Sequence, residues 1–135
     1  MMEELREQVP VIKELLQKMN ITTVELPGYE ADDVIGTLSK KGEKAGMEVD
    51  VISGDRDLLQ LASDHITICI PKTKKGQTTV EEYNTEGVRK LYKVTPTEFI
   101  DVKALMGDSS DNIPGVPGIG EKGATAIISQ FGSIE

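Results

Sequence analysis

The stretch from Leu105 to Ala126 constrains the fold more than any other part of the sequence. Ten consecutive residues within it contain two prolines and four glycines: Pro114, Pro117, Gly115, Gly118, Gly120 and Gly123. Glycines this dense let backbone N–H groups turn outward and approach a ligand closely. A helix-forming segment follows, and the free N–H groups at its start suit a phosphate. The stretch therefore predicts a loop that can hold a phosphate group.

Two carboxylates come just before this loop. Asp108 and Asp111 lie three residues apart in the same stretch. Oxygen ligands of this kind suit Mg²⁺ or Mn²⁺, whereas zinc would call for nearby thiolates or imidazoles. Acids that can hold a metal therefore lie a few residues from backbone that can hold a phosphodiester. This juxtaposition indicates nucleic-acid chemistry.

The overall composition fits one ordinary domain without a membrane span. The 135 residues carry a formal charge of −8, which argues at first against a nucleic-acid partner. Seven of the 23 acids are candidate metal ligands, and the other 16 nearly balance the 15 Lys and Arg. If those seven converge on cations, the overall charge says little about DNA affinity. The single cysteine, Cys69, excludes an internal disulfide and fits a reducing cytoplasm.

The apolar pattern of the first half predicts an α/β fold. Strands and helices alternate there, which is typical of parallel β-structure with right-handed crossovers. Pro71 is expected to stop the third strand, and the residues that follow it, up to Gly76, to form a basic loop. The predicted strands are Ile21–Leu26, Glu48–Ser53 and Ile66–Ile70, with a short strand at Gln77–Glu82.

Helices dominate the second half of the chain, so two parts are expected. Residues 1–76 would form an α/β metal-binding core, and residues 77–135 a helical DNA-binding subdomain. Helices are predicted at Glu3–Met19, Glu30–Ala45 and Asp57–Ala62, from Asn84 or Thr85 to Tyr92, from Thr95-Pro96 to about Met106, and at Glu121–Phe131.

Acidic side chains follow two of the predicted strands. Ligands of parallel sheets lie beyond the carboxyl ends of the strands, so both groups are expected to face one crevice. Carboxylates about 4 Å apart repel by about 4 kcal/mol at an effective dielectric near 20, so pKa values rise or cations bind. Two cations roughly 4 Å apart could activate water and stabilise a leaving oxygen. The predicted ligands are Glu30, Asp32 and Asp33 after the first strand, Asp55 and Asp57 after the second, and Asp108 and Asp111 from the helical side.

Each feature also has a purely structural explanation. Acids at helix starts are common as caps and as partners of the helix dipole, which would account for all three acidic groups. Three basic residues after the third strand are more often a solvated loop than a DNA contact. Lys122 opposes the dipole at a helix start, and a bound phosphate would remove that conflict. The basic residues in question are Lys72, Lys74 and Lys75.

Three blocks of sequence carry a family resemblance. They are Tyr29–Gly36 (YEADDVIG), Ser53–Leu58 (SGDRDL) and Gly107–Lys122 (GDSSDNIPGVPGIGEK). In this order they resemble the 5′-nuclease (5′→3′ exonuclease) domain of bacterial DNA polymerase I, which is similar to flap endonucleases. The resemblance covers nearly the whole chain.

The resemblance implies a parallel-sheet, PIN-like layer followed by a helix–three-turn–helix subdomain that grips duplex DNA. It implies a metal-dependent nuclease acting on 5′ flaps or nicked duplex, with a two-metal site of Mg²⁺ or Mn²⁺ and K⁺ at the glycine loop. Family domains begin with a strand and a basic arch, so this chain is expected to be the second half of one, from a parent that carries a polymerase domain. The implied catalytic residues are Asp32, Asp33, Asp55 and Asp57; the metal ligands are these four with Glu30, Asp108 and Asp111; the DNA-gripping residues are Gly115, Val116, Gly118, Ile119, Gly120 and Lys122.

Two other classes of function stay open on the sequence alone. One is a non-catalytic duplex-DNA binding module built around Gly115–Gly120. The other is a phosphotransfer or phosphatase domain with Asp55 as nucleophile, although such a site has no use for the glycine loop.

Overall fold

The β-branched segments in the middle of the chain form a three-stranded sheet in this computed structural model, which describes residues 3–135. β1 (Val49–Ile52) pairs in parallel with β2 (Ile66–Lys74). β2 in turn pairs antiparallel with β3 (Gln77–Tyr83). The predicted α/β fold is confirmed, but the sheet is mixed, since only the β1–β2 pair is parallel.

The predicted strand Ile21–Leu26 is wrong. These residues belong to no strand, and the side chains of Ile21, Val24 and Leu26 are 46%, 55% and 53% exposed. β-Branched residues favour strands because their side chains pack against those of neighbouring strands. This segment has no neighbouring strand, so its composition alone does not make it a strand. The acids after this segment therefore lack the strand end that was expected to position them.

The predicted stop at Pro71 and the basic loop after it are also wrong. β2 continues through Pro71 to Lys74, so only Lys75 and Gly76 form the turn before β3. β1 ends opposite Cys69, so β2 has only one neighbouring strand beyond that point. A proline is tolerated where one side of a strand is an edge.

The helices lie close to where the sequence predicts them. Asn84 caps its helix by accepting a hydrogen bond from the Gly87 N–H at 3.0 Å. Thr95 and Glu98 form a reciprocal capping pair, with N···O distances of 2.6 and 3.2 Å. The helices are α1 (Glu3–Lys18), α2 (Ala31–Lys44), a 3₁₀ helix (Arg56–Leu61), α3 (Thr85–Tyr92), α4 (Glu98–Met106) and α5 (Glu121–Phe131).

The chain divides into two units, Met1–Val34 and Ile35–Glu135. In the first unit, α1 buries none of its residues. The second unit contains the sheet and a core in which the rings of Tyr92 and Phe99 lie 4.7 Å apart. The residues that form this core are Val51, Leu58, Leu59, Ala62, Ile66, Ile68, Ile70, Val88, Tyr92, Val94, Phe99, Val102, Ala124 and Ile128.

The two parallel strands are also joined at their starts. The Val49 N–H donates to the His65 carbonyl at 2.8 Å, and His65 Nδ1 lies 2.7 Å from Glu48 Oε1. The hydrogen bond with Glu48 raises the pKa of His65 above its ordinary value. Across residues 3–135, no helix is long and apolar enough to cross a membrane.

Candidate metal centre and nucleic-acid interface

The carboxyl end of β1 leads into a tight turn that carries two of the predicted acids. The Asp55 carboxylate caps the 3₁₀ helix by accepting the Asp57 N–H at 2.8 Å. The Asp55 N–H donates to Ser53 Oγ at 3.1 Å. Asp55 thus acts as a helix cap, which is the structural alternative to metal binding given above. The turn also fixes the backbone that carries Asp57.

Lys103 joins this turn to the second acidic group. Its Nζ lies 2.8 Å from Asp57 Oδ1 and 2.9 Å from Asp108 Oδ2. Partial burial acts to lower the pKa of Lys103, but the hydrogen bonds with the two carboxylates outweigh it and the pKa is raised. The structure therefore brings Asp57 and Asp108, from distant parts of the sequence, to a single ammonium group.

Asp108 is held on both of its oxygens. Oδ1 accepts the backbone N–H of Ser110 at 2.9 Å and also the Ser110 hydroxyl, while Oδ2 accepts from Lys103. The Ser110 and Lys103 hydrogen bonds hold the pKa of Asp108 well below its ordinary value of 3.8. The ionised carboxylate therefore stabilises the folded chain fully at pH values above 3.8. This stabilisation is lost as the pH falls through the lowered pKa of Asp108.

Arg56, between Asp55 and Asp57, also anchors the turn. Its Nη1 donates to the Tyr92 hydroxyl at 2.9 Å, and its Nη2 lies 3.9 Å from Glu81 Oε2. The hydrogen bond with Tyr92 raises the pKa of Arg56. The turn is thus tied to both α3 and β3.

Asp108 itself lies in a small antiparallel hairpin of β4 (Gly107–Asp108) and β5 (Ile113–Pro114). At its base the two backbone segments nearly touch. A Cβ atom on Gly107 would lie 2.6 Å from the Ile113 carbonyl oxygen, and one on Gly115 would lie 2.6 Å from the Gly107 nitrogen. Gly107 also has a φ of +71°, which side chains rarely adopt. Only glycine fits this crossing.

The loop from Gly115 to Gly120 follows directly and leads into α5. It is fixed to the end of α4 because the Val116 N–H donates to the Leu105 carbonyl at 2.8 Å. Gly118 has a φ of +83°, and open space surrounds the Cβ positions of both Gly118 and Gly120. Lys122 is exposed in the first turn of α5. The loop thus leaves room for a ligand to approach its backbone.

The remaining predicted ligands are exposed. Asp111 lies at the tip of the hairpin. Glu30, Asp32 and Asp33 stand at the start of α2 in the first unit, where Asp33 Oδ2 accepts the Glu30 N–H at 3.0 Å as a cap. Their joint placement with the acids of the second unit stays a prediction.

Carboxylate oxygens are the donors that a hard divalent cation such as Mg²⁺ prefers. Within residues 3–135, no group of three or more His, Cys, Asp or Glu side chains is arranged to hold a metal ion. Mg²⁺, however, is often held by only one or two carboxylates together with water and phosphate oxygens. Asp57 and Asp108, which already share one cationic group, fit as that pair.

Sequence reasoning missed Lys103 and Arg56. A signal existed for Arg56, since it lies between two predicted ligands. Lys103 comes five residues before Asp108, but nothing in the sequence indicates that Asp57 would meet it. The roles of Lys103 and Arg56 could not be predicted from the sequence, because they depend on which helices and strands pack together.

Two family models match the chain from end to end. Residues 1–93 match "5′-3′ exonuclease, N-terminal resolvase-like domain", and residues 94–135 match "5′-3′ exonuclease, C-terminal SAM fold". DNA polymerase I of Bacillus caldotenax is 58% identical over 132 residues, and that of Streptococcus pneumoniae R6 is 47% identical over 133. Each match covers 98% of this chain and 15% of the relative, so the chain spans about a seventh of their length.

Solved structures with the same fold include the T5 D15 protein co-crystallised with metal ions. That comparison has a TM-score of 0.79 at 32% identity and covers 99% of this chain and 51% of the other. A D155K variant of the T5 D15 flap endonuclease, in complex with DNA and metal ions, matches with a TM-score of 0.75 at 30% identity over 99% of this chain and 50% of the other. The catalytic core of Rad2 with DNA substrate has a TM-score of 0.67 at 22% identity over 95% of this chain and 38% of that one, which shows the fold alone.

Proposed function

We propose that this chain, which belongs to the 5′-3′ exonuclease family, is part of a structure-specific, divalent-metal-dependent 5′ nuclease that hydrolyses DNA phosphodiesters. The observation that carries the proposal is the convergence of Asp57 and Asp108 on Lys103, since Asp108 lies in the hairpin that leads into the glycine loop. The proposed setting is a cytoplasmic DNA polymerase I that also carries a polymerase domain, and the proposed substrate is a 5′ flap or nicked duplex.

In this proposal the acidic side chains bind the divalent cations, and the turns that carry these side chains hold them in position. Mg²⁺ or Mn²⁺ would supply Lewis-acid stabilisation of the charge that develops on the phosphate. Asp57 and Asp108 contribute carboxylate oxygens, and Asp55 fixes the turn that presents Asp57. The further proposed ligands are Glu30, Asp32, Asp33, Asp55 and Asp111, with Asp32, Asp33, Asp55 and Asp57 in the catalytic group.

The glycine loop is proposed to grip the sugar–phosphate backbone. Together with the hairpin before it, the loop would form the connecting turns of a helix–three-turn–helix unit between α4 and α5, and its backbone would hold K⁺. Support comes from its open backbone at Gly118 and Gly120 and from the exposed Lys122 at the helix start. Contacts of this kind fix position on DNA without reading its sequence.

A non-catalytic duplex-DNA binding module is the second candidate. One observation favours it, namely that residues 3–135 form no group of three potential metal ligands. In this candidate function the glycine loop and Lys122 still bind DNA. The affinity for DNA is then expected to be the same with and without Mn²⁺.

We expect Lys122→Gln to weaken binding of a 5′-flap duplex and to reduce the slope of log affinity against log salt by about 1, because one phosphate contact is lost. Fluorescence anisotropy with labelled flap DNA over a salt series measures both quantities. Lys18→Gln is the control, since Lys18 is exposed and already pairs with Glu14 at 3.6 Å.

Wild-type protein should bind the flap duplex more tightly than a blunt duplex, with affinity falling steeply as salt rises. Absence of DNA binding at every salt concentration would contradict both candidate functions.

A further inference from the structure

Lys103 is unusually enclosed for a lysine in an ion pair. Its side chain is 23% exposed, whereas that of Lys90, which pairs with Glu86 at 2.8 Å, is 75% exposed. The two carboxylates that Lys103 contacts are themselves partly sheltered, with Asp57 36% and Asp108 20% exposed. Screening by solvent is therefore weaker here than at an ordinary surface ion pair.

Three elements of the second unit meet at Lys103. The 3₁₀ helix brings Asp57, the hairpin brings Asp108, and α4 brings the ammonium. Without a cation between them, the two carboxylates would repel each other. Lys103 offsets that repulsion, although the trio keeps a net negative charge and so still attracts a further cation.

The oxygens available on Asp108 decide what happens when such a cation arrives. Ser110 occupies Oδ1 through both its N–H and its hydroxyl, and Lys103 occupies Oδ2. A small divalent cation must come within about 2.1 Å of a carboxylate oxygen. Ser110 fills both acceptor sites of Oδ1, so the cation binds at Oδ2, where its charge and that of the Lys103 ammonium repel each other.

We propose that Lys103 is a positioning residue that acts as a built-in counter-ion. It holds Asp57 and Asp108 together while no divalent cation is bound, and it withdraws from them when one binds. This inference rests on the proposed metal site. It adds how Asp57 and Asp108 are held together before a divalent cation binds, and which residue lowers the affinity for that cation.

The first test measures Mn²⁺ affinity of the 135-residue chain by the electron paramagnetic resonance signal of free Mn²⁺. Lys103→Met removes the competing charge with little change in length and should bind Mn²⁺ about tenfold more tightly than wild type. Lys90→Met is the matched control, since the Lys90 side chain is 75% exposed, and it should bind Mn²⁺ as wild type does. Equal or weaker binding by Lys103→Met would overturn the counter-ion role, since an ordinary structural ion pair predicts that result.

The second test uses wild-type protein and so does not depend on the folding of a variant. During a titration with diamagnetic Mg²⁺, the NMR signals of the Lys103 side chain should shift with the same midpoint as the Asp108 amide, while those of Lys90 stay in place. A shift of Asp108 without one of Lys103 would overturn the withdrawal of the lysine. Absence of both Mn²⁺ binding and Mg²⁺ shifts in every protein would overturn the metal site itself, and the counter-ion role with it.

Discussion

Replacing Gly107 by alanine is expected to destabilise the chain by on the order of 4 kcal/mol, a large part of the stability of a domain this size. The substitution places a Cβ atom 2.6 Å from the Ile113 carbonyl and forces a side chain to adopt a φ of +71°. Backbone cannot move aside as a flexible side chain can, so the hairpin that carries Asp108 must open. Urea unfolding followed by circular dichroism measures the loss.

Gly46→Ala separates the two causes of this loss. Gly46 has a φ of +79°, but nothing lies within 4 Å of its Cβ position. It should cost about 1 kcal/mol, the price of positive φ alone. If the two variants unfold at the same urea concentration, the close backbone crossing at Gly107 is not a constraint on the fold.

Replacing Asp108 by asparagine is expected to lower Mn²⁺ affinity by at least about tenfold while leaving the fold in place, because affinity for hard cations follows the number of charged oxygen ligands. The amide keeps the shape of the side chain, and its carbonyl oxygen can still accept the Ser110 N–H, whereas the hydrogen bond from Lys103 to Oδ2 is lost. Calorimetric titration with Mn²⁺ measures the affinity, and circular dichroism checks the fold.

Asp101→Asn is the matched control, since Asp101 is a partly exposed acid on the same helix as Lys103. It should bind Mn²⁺ as the unmodified chain does. Indistinguishable titrations of Asp108→Asn and wild type would remove Asp108 from the set of ligands.

Local signals predicted the helices well because their ends are set by nearby residues. Asn84 caps α3, the Thr95–Glu98 pair starts α4, and Gly132, at a φ of +86°, ends α5. The glycine pattern likewise anticipated an open loop before α5. In each case the physical cause lies within a few residues in the chain.

Features that depend on distant packing were not predictable in the same way. Ile21–Leu26 has the composition of a strand but no neighbouring strand in the sheet. Pro71 is accommodated in β2 because β1 ends opposite Cys69, which the sequence does not show. Lys103 meets Asp57 only because α4 packs on the 3₁₀ helix. The contact between these two residues could therefore not be predicted from the sequence.

The location of bound Mn²⁺ tests the central claim most directly. Substoichiometric Mn²⁺ added to ¹⁵N-labelled protein broadens the amide signals nearest to it. Broadening that begins at Asp57, Asp108 and Ser110 is the predicted result. Broadening confined to the acidic first turn of α1, at Glu3 and Glu4, with those three signals unchanged, would contradict a metal centre at the Lys103 junction.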